Sequence, residues 1–392
     1  MNCTKKISTL VMTAVMIASF ACVFTACGND DDPIINNGEE EQTEEKTDEM
    51  ITEETVTLSA EDFTEYGYLK DGVYYKLNHD KLTATITAVA DGVTRLTPPK
   101  GIIFNGYNYT MPTVFGNEYI YAPSVETLYL SARYTSIEPL LGFTALKKIV
   151  VSTDNENLKS EDGLVLSKDG QKLLYVPICS PTPLKIPTSV SIIANRAIYY
   201  NTTLSELTIP ANIKEVRGGI TNNQFETLTI ESNNIEIYSE CFARNENLKK
   251  VNLSNGIKTV GNALFMFCKN LEQINFPDGV TSIGKLAFAS CKLTEINLPS
   301  TLTYIVTDAF RDCATLHKVY YNASSFTSPD KNALDIASMT ELHFTHKGEV
   351  TGFTKSSFSQ DVYSKCRLFI PKGYKSSYDK EPFSLFKNVT EE

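Results

Sequence analysis

Between Leu248 and Thr315 the apolar residues recur three times in the same order, separated by the same kinds of polar residues. The three segments read LKKVNLSNGIKTVGNALFMFCKN, LEQINFPDGVTSIGKLAFASCK and LTEINLPSTLTYIVTDAFRDCAT, with lengths of 23, 22 and 23 residues. A fixed period of this size predicts a solenoid, in which each coil, meaning one repeat, buries its apolar residues against the neighbouring coils. Such a chain presents a long surface and encloses no catalytic pocket.

Within the second copy, the apolar positions predict one short strand followed by a tight turn. Alternation sends Ile274 and Phe276 inward and Asn275 outward. Pro277 ends the strand because it has no N–H group for further pairing. Residues 285–291 predict a short helical or 3-10 turn packed under the strand. Each coil therefore contributes one strand to a parallel ladder, in which neighbouring strands lie about 4.8 Å apart.

The same template locates about eleven coils of this period along the chain. The last apolar residues of their predicted strands are Leu130, Val151, Ile186, Ile209, Ile230, Leu253, Phe276, Leu298, Tyr321, Phe344 and Ile370. Most intervals are 21 to 23 residues, but the interval from Val151 to Ile186 is 35. Residues 163–177 read GLVLSKDGQKLLYVP, two apolar runs around an Asp-Gly pair, which predicts an inserted β-hairpin. We expect the solenoid at residues 124–365 and a C-terminal cap at 366–392.

The order of strand, Ile/Leu-Pro, Val/Leu-x-x-Ile-Gly, Ala-Phe and Cys resembles the BspA-like (Treponema-type) leucine-rich repeat of bacterial surface proteins. The match is close over residues 184–315 and looser over 125–370. Asn245 in place of Cys and the segment Arg217-Gly218-Gly219 depart from the pattern. The resemblance implies a mostly β leucine-rich repeat solenoid, display at the cell surface and binding of host or microbial macromolecules. It implies no active site.

The N-terminus resembles a bacterial lipoprotein signal peptide, predicted at residues 1–26. Lys5 and Lys6 precede an apolar stretch at 7–24, and Phe24-Thr25-Ala26-Cys27 resembles the lipobox at which such signals are cleaved. Cys27 is then the predicted lipidation site, and the alternatives are an ordinary signal peptide or an uncleaved anchor. We expect attachment to the bacterial outer membrane by lipid alone, with the protein exposed at the cell surface.

The acidity of the chain comes from one short segment. Residues 28–55 contain twelve carboxylates and a single cation, Lys46, so this segment alone equals the formal net charge of −11. We interpret 27–55 as a lipidated Cys followed by an acidic disordered tether. The triplet at 30–32 resembles surface-export signals of some Gram-negative lipoproteins, and the alternative is a plain solvated linker. The rest of the chain is nearly neutral, which gives no reason to expect nucleic-acid binding.

Residues 56–123 differ from the repeats, because they are rich in Tyr, Thr and Gly and contain alternating runs such as VYYKLN and LTATITAV. This pattern predicts a small antiparallel β region that caps the solenoid. Its tyrosines suggest a carbohydrate-stacking patch, or else half-buried strand positions: Tyr107, Tyr109, Tyr119 and Tyr121. The absence of Trp weakens the carbohydrate interpretation.

Six cysteines follow Cys27, and three of them, Cys268, Cys291 and Cys313, occupy the same repeat position. An even count in an exported protein permits disulfides. We favour free, buried thiols, because side chains at one repeat position point inward in parallel. Neither Cys-x-x-Cys spacing nor a phosphate-binding, HExxH or GxSxG motif occurs, so we expect no metal, no cofactor and no enzymatic activity.

The outward residue at the centre of each strand is the candidate binding position. The predicted partner-binding residues are Tyr129, Thr208, Thr229, Asn252, Asn275, Asn297, Tyr320 and His343. The simpler explanation is that any soluble residue suits this face, with stacked Asn residues hydrogen-bonded along the ladder. The predicted function is non-enzymatic binding of a protein or other macromolecule through this sheet. The alternatives are a glycan-binding accessory protein and a structural envelope component.

Overall fold

The computed structural model describes residues 51, 54–325, 334 and 336–392. Within them the chain is almost entirely β, with one α-helix, α1 (Gln360–Lys365), and 3-10 turns at Ala60–Asp62, Lys375–Tyr378 and Phe383–Leu385. The predicted signal peptide, Cys27 and most of the acidic tether lie outside the described residues. No helix of the described part is both long and apolar enough to span a bilayer.

A curled sheet of mixed strand direction forms the N-terminal part. The prediction of a purely antiparallel region is wrong, because Thr55–Leu58 pairs in parallel with Gly101–Phe104, and Thr83 pairs in parallel with Thr110. The first eight strands are β1 (Thr55–Leu58), β2 (Phe63–Thr64), β3 (Gly67–Lys70), β4 (Val73–Asn78), β5 (Thr83–Val89), β6 (Arg95–Leu96), β7 (Gly101–Phe104) and β8 (Tyr107–Thr110). All except β6 join one sheet in the order β1-β7-β8-β5-β4-β3-β2. Tyr68 on β3 and Phe104 on β7 have ring centroids 4.8 Å apart although three strands separate them, so the sheet must curl.

The remaining strands belong to the coils and their insertion. They are β9 (Val114–Phe115), β10 (Thr127–Leu130), β11 (Ser136–Ile137), β12 (Lys148–Val151), β13 (Leu158–Glu161), β14 (Leu164–Ser167), β15 (Lys172–Tyr175), β16 (Ile192–Ile193), β17 (Glu206–Ile209), β18 (Glu215–Val216), β19 (Thr227–Ile230), β20 (Glu236–Ile237), β21 (Lys250–Asn252), β22 (Thr259–Val260), β23 (Gln273–Asn275), β24 (Ser282–Ile283), β25 (Glu295–Leu298), β26 (Tyr304–Ile305), β27 (Lys318–Tyr321), β28 (Glu341–Phe344), β29 (Arg367–Ile370) and β30 (Asn388–Glu391).

The longer strands of successive coils pair in parallel and form the strand ladder. It runs in three stretches, β6-β10-β12, β17-β19-β21-β23 and β25-β27-β28-β29-β30. A second ladder, made of two-residue strands joined by β15, follows the turn in each coil, with stretches β9-β11, β15-β16-β18-β20 and β22-β24-β26. The predicted leucine-rich repeat solenoid is confirmed, and it has about 13 turns.

Two breaks in the strand ladder have local causes. The predicted strand ending at Ile186 is wrong, because 181–190 contain no strand. Pro181 and Pro183, which stand before Leu184 in this segment, have no N–H groups to donate to a neighbouring strand. At the second break, only Lys292 separates Cys291 from Leu293, whereas two residues stand at this point in the flanking copies. The shorter turn prevents β25 from pairing with β23.

The inserted hairpin is present as β14 and β15, and β13 extends it to a three-stranded antiparallel meander. The apolar run of β14 faces two different cores. Leu164 and Leu166 pack with the apolar residues of the later coils, and Val165 packs with the N-terminal sheet and first coils. A strand that is buried on both faces explains why this segment shows no polar alternation. The meander is therefore the partition between the two hydrophobic cores.

Inside the central coils, equivalent side chains stack directly on one another. Phe242, Phe265, Phe288 and Phe310 form a column with successive ring centroids 5.9, 5.6 and 5.5 Å apart and nearly parallel planes. Three of the four are completely buried. Because every coil places the same ring at the same height, each repeat packs only against its neighbours, as a solenoid requires.

A column of polar side chains lies at the interior turn of these coils, and we name it the donor column. Each member donates a hydrogen bond to a main-chain carbonyl of the preceding coil: Asn201, Asn223, Asn245, Cys268, Cys291, Cys313 and Ser338. Asn245 shows the arrangement best. Its Nδ2 donates to the carbonyls of Ile220 and Phe242 at 2.8 Å each, and its Oδ1 accepts from the N–H of Asn223 at 2.9 Å.

Sequence reasoning treated Asn245 as a departure from the Cys pattern and did not recognise that it serves the same purpose. Asn and Cys both carry a donor that reaches a carbonyl which water cannot reach. The signal was available in the repeat alignment, since Asn245 precedes Leu248 by three residues, as Cys268 precedes Leu271. The register of this copy is therefore regular.

We predict that Asn245→Ala lowers the free energy of unfolding by about 3 kcal/mol, because it leaves several buried backbone groups without a partner. Asn245→Cys should lose less, since a thiol retains one donor at this position. Urea unfolding followed by circular dichroism measures both variants. Asn270→Ala is the matched control, because it removes one exposed hydrogen bond to the carbonyl of Glu246. Equal stability of Asn245→Ala and this control would contradict the role of the donor column.

Candidate binding surface on the strand ladder

The outer face of the strand ladder carries two parallel columns of side chains. The start column lies at the first outward position of each strand and contains Arg95, Thr127, Lys148, Glu206, Thr227, Lys250, Gln273, Glu295, Lys318, Glu341, Arg367 and Asn388. The central column lies two residues further along each strand and contains Tyr129, Val150, Thr208, Thr229, Asn252, Asn275, Asn297, Tyr320, His343, Phe369 and Thr390.

All eight residues predicted for partner binding lie in the central column. Pairing is in register within each stretch of the ladder. Tyr129 lies beside Val150, the next four members follow one another from Thr208 to Asn275, and Asn297 is followed by Tyr320 and His343. The two ladder breaks divide the column into an N-terminal, a middle and a C-terminal block of different chemistry.

The middle block is polar and internally hydrogen-bonded. Asn252 donates from Nδ2 to Oγ1 of Thr229 at 3.3 Å, and Asn275 donates from Nδ2 to Oδ1 of Asn252 at 3.0 Å. Hydrogen bonding along the ladder, the simpler explanation of these residues, is thus present. It also holds the carboxamides in one orientation, and Thr208 and Asn275 at the two ends of the row are exposed.

The C-terminal block is aromatic. The ring of His343 stacks on Phe369 with centroids 4.1 Å apart and planes at 1°, and on its other side lies Tyr320 at 4.6 Å. Nδ1 of His343 lies 2.7 Å from Oε1 of Glu392, and Nε2 lies 3.3 Å from Oε2 of Glu341. These neighbours leave His343 only 6% exposed. The accessible aromatic surface here belongs to Tyr320 and to Phe369, which sequence reasoning did not include.

Charges of alternating sign follow the start column through this block. Lys318 Nζ lies 3.0 Å from Glu341 Oε2, one strand away. Hydrogen bonds from Lys318 and then His343 lower the pKa of Glu341 below its ordinary value. Comparable pairs join Lys249 to Glu226 at 2.7 Å and bridge other neighbouring coils. Exposed pairs of this kind stabilise the fold by little, so their charges are available to a partner at low cost.

The repeat pattern of this chain matches a known family. A family profile described as the BspA type leucine rich repeat region, in six copies, matches residues 176–292 and 258–377, together just over half of the chain. The chain belongs to this family. No curated protein sequence matches it.

Several solved structures are similar to this BspA-type repeat protein. A leucine-rich repeat protein from Eubacterium ventriosum is 21% identical, with a TM-score of 0.45 over 61% of this chain and 71% of that one. The pneumococcal vaccine antigen PcpA is 15% identical, with a TM-score of 0.36 over 82% and 98%. A leucine rich cell surface protein from Faecalibacterium prausnitzii is 17% identical, with a TM-score of 0.28 over 80% and 96%.

The four tyrosines considered as a carbohydrate patch do not come together in this BspA-type protein. Tyr109 is buried and its hydroxyl lies 2.6 Å from His79 Nδ1. Tyr121 pairs with Ala88 on β5, whereas Tyr107 lies three residues before Thr110, the partner of Thr83. Five residues of β5, from Thr83 to Ala88, and three of β8, from Tyr107 to Thr110, thus separate Tyr107 from Tyr121 along the strand direction, which corresponds to about 25 Å. A single sugar-stacking surface made of all four residues is excluded.

The cysteines of the described part are free. Cys241, Cys268, Cys291, Cys313 and Cys366 are buried, and Cys179 is partly exposed. Burial raises the pKa of Cys268 to about 12 and that of Cys313 to about 11. A high thiol pKa opposes nucleophilic or redox chemistry, since the thiolate is the reactive form. These thiols act as structural donors within the BspA-type coil.

No group of three or more His, Cys, Asp or Glu side chains within the described ranges is arranged to hold a metal ion. The outward polar residues of the ladder lie along open strand faces.

We predict that only Cys179 among the six cysteines after Cys27 reacts with iodoacetamide at about pH 8 in the native protein, because burial keeps the others protonated and inaccessible. Mass spectrometry identifies the alkylated residues, and labelling in guanidinium should reach all six. The buried thiols have a higher pKa in the folded than in the unfolded chain. Above about pH 9 the unfolded chain loses these protons while the folded chain keeps them, so the stability of the fold should fall as the pH rises further. Rapid native labelling of Cys268 or Cys313 would contradict this assignment.

Proposed function

We propose that the chain is a non-enzymatic surface lipoprotein that binds a macromolecular partner, in the first instance a protein, through the outer face of the strand ladder. The observation that carries the proposal is the pair of outer columns, which are in register within each of the three stretches of the ladder and form polar and aromatic surface on most coils. Membership of the BspA-type leucine-rich repeat family agrees with protein binding or adhesion.

The three blocks of the central column and the charges of the start column would make different contributions to partner binding. Tyr320 and Phe369 supply the aromatic area that anchors protein interfaces. The row from Thr208 to Asn275 supplies oriented hydrogen-bonding groups, and the alternating charges of the start column favour one register of the partner over others. Contact along many coils at once gives affinity without a deep pocket.

We further propose that the surface is presented at the bacterial outer membrane by a lipid on Cys27. The support is the signal-like segment at 1–26 and the acidic segment up to residue 55, from which β1 begins directly. In this arrangement 56–123 form the N-terminal cap, 124–365 the solenoid and 366–392 the C-terminal cap. The first ladder strand, at Arg95–Leu96, already lies within the range proposed for the N-terminal cap.

The four-residue variant Asn252→Ala, Asn275→Ala, Asn297→Ala and Tyr320→Ala should weaken partner binding by about 100-fold, because it removes oriented donors and one aromatic anchor together. The partner is first captured with the chain from Gly28 onward on intact microbial or host cells. Surface plasmon resonance then compares the variant with the parent chain.

The matched control is Thr259→Ala, Ser282→Ala and Tyr304→Ala on the second ladder, where Ser282 and Thr259 hydrogen-bond at 2.9 Å in the same manner. The control should bind normally. If the four-residue variant keeps its fold by circular dichroism and binds as well as the parent chain, the outer face of the strand ladder is not the site.

Cys27→Ala should abolish lipid attachment and release the protein from the envelope, because no other residue carries the predicted lipobox thiol. Metabolic labelling with a radioactive or alkyne fatty acid measures attachment, and protease treatment of intact cells measures surface exposure. A chain that is fully protected from protease in intact cells, yet degraded after lysis, would contradict display at the outer surface.

A further inference from the structure

The first three strands of the ladder contain a notch. Its volume is about 380 Å³, and it is lined by Thr94, Arg95, Glu126, Thr127, Lys147 and Lys148. The register explains its shape, because Arg95, Thr127 and Lys148 are direct neighbours across the strands. Thr127 is short and only 7% exposed, whereas the long cationic side chains on both sides are exposed. The notch is the gap above Thr127.

The lining carries three cations and one carboxylate, so its net charge is +2. The carboxylate of Glu126 lies 2.9 Å from Lys147 Nζ. Neither Arg95 nor Lys148 forms an ion pair with another residue of the described part. Two strand spacings separate them, about 10 Å, and their long side chains both reach the space over Thr127. An anionic group placed there would accept hydrogen bonds from both.

The surroundings of the notch favour a short acidic ligand. Lys148 is the last cation of this stretch, the ladder breaks after β12, and the next residue of the start column is Glu206. A nucleic acid or a long sulfated polysaccharide would therefore find no continuous basic track. Tyr129 and Val150 lie beside the cations on the same face. These two residues suit an apolar side chain next to the acidic one.

On these observations we infer that the notch binds a carboxylate in an acidic segment of a protein partner, with Arg95 and Lys148 as its ligands and an adjacent apolar residue against Tyr129 and Val150. This inference rests on the proposed function of the ladder face and specifies the chemistry of the partner. The carboxylate of Glu126 repels the bound anion and so lowers the affinity of the notch.

The probe is a fluorescein-labelled peptide of alternating Glu and Leu residues, titrated with the chain from Gly28 onward and followed by fluorescence anisotropy. Arg95→Ala with Lys148→Ala should weaken binding about tenfold, since each exposed pair contributes a few-fold. Glu126→Gln should tighten binding several-fold. Thr94→Glu retains both cations but adds a carboxylate to the lining, and it should abolish binding.

The charge-matched control is Lys258→Ala with Lys285→Ala, which removes two exposed cations away from the outer face of the strand ladder. It should bind like the parent chain. Because 28–55 carry carboxylates of their own, the titration is repeated with the five glutamates at 39–45 replaced by Gln. Tighter binding in that chain would show intrachain competition for the same notch and would support it as a carboxylate site.

Equal weakening by the notch variant and by the control would overturn the inference, and so would tighter binding of a heparin hexasaccharide than of the peptide. If the notch variant still binds the cellular partner and the four-residue ladder variant does not, the notch is not part of the binding site, and the proposed function of the ladder face still stands. If the notch variant no longer binds the peptide, but both variants bind the cellular partner as well as the parent chain does, the ladder face is not the site of partner binding.

Discussion

The coils that carry Asn201 to Ser338 have main-chain carbonyls at an interior turn from which water is excluded, and the donor column satisfies them. Each of these coils brings a side-chain donor to a carbonyl of the coil before it. Asn, Cys and Ser all meet the condition, since each offers a short polar group at the same height. The stacked Phe rings then set how closely the coils approach. Substitution is tolerated at this position when the donor is kept.

Because the interior carries the structural constraint, the outer face is free to differ from coil to coil. The same strand position holds Thr229, Asn275 or Tyr320 without a change of register. The family therefore defines a scaffold, and the proposed function assigns the choice of partner to the outer columns. This separation explains why membership of the BspA-type family does not identify a ligand.

Sequence periodicity predicted most of the strand ladder, since eight of the eleven predicted strand ends fall on observed strands and two more, Leu253 and Phe276, lie one residue beyond theirs. The prediction was wrong or incomplete where the spacing between strands departs from the regular repeat length. Ile186 follows the meander in a proline-rich turn, and β6 lies 32 residues before the next strand of the ladder. His343 is covered by Glu392, which is 49 residues further along the chain. Contacts at such separations depend on the coil count between them, and a local pattern does not contain that information.

The same limit applies to the notch. Arg95 and Lys148 are unremarkable in the sequence, and only the parallel register places Thr127 between them. By contrast, the central column was visible from the alternation of a single copy. A feature that recurs in every copy can be predicted from the sequence of one coil, whereas a feature that occurs once is recognised only in the three-dimensional structure.

The meander has a consequence for how the molecule comes apart. A continuous repeat array transmits packing from coil to coil over its whole length, but here two hydrophobic cores share one strand. Leu166 faces one core and Val165 the other, so neither core is sealed without β14. Loss of the coils on one side leaves half of this strand exposed to water. Under a pulling load or in denaturant, we therefore expect the two hydrophobic cores to unfold as two cooperative units. Unfolding of one unit exposes one face of β14 and thereby destabilises the other.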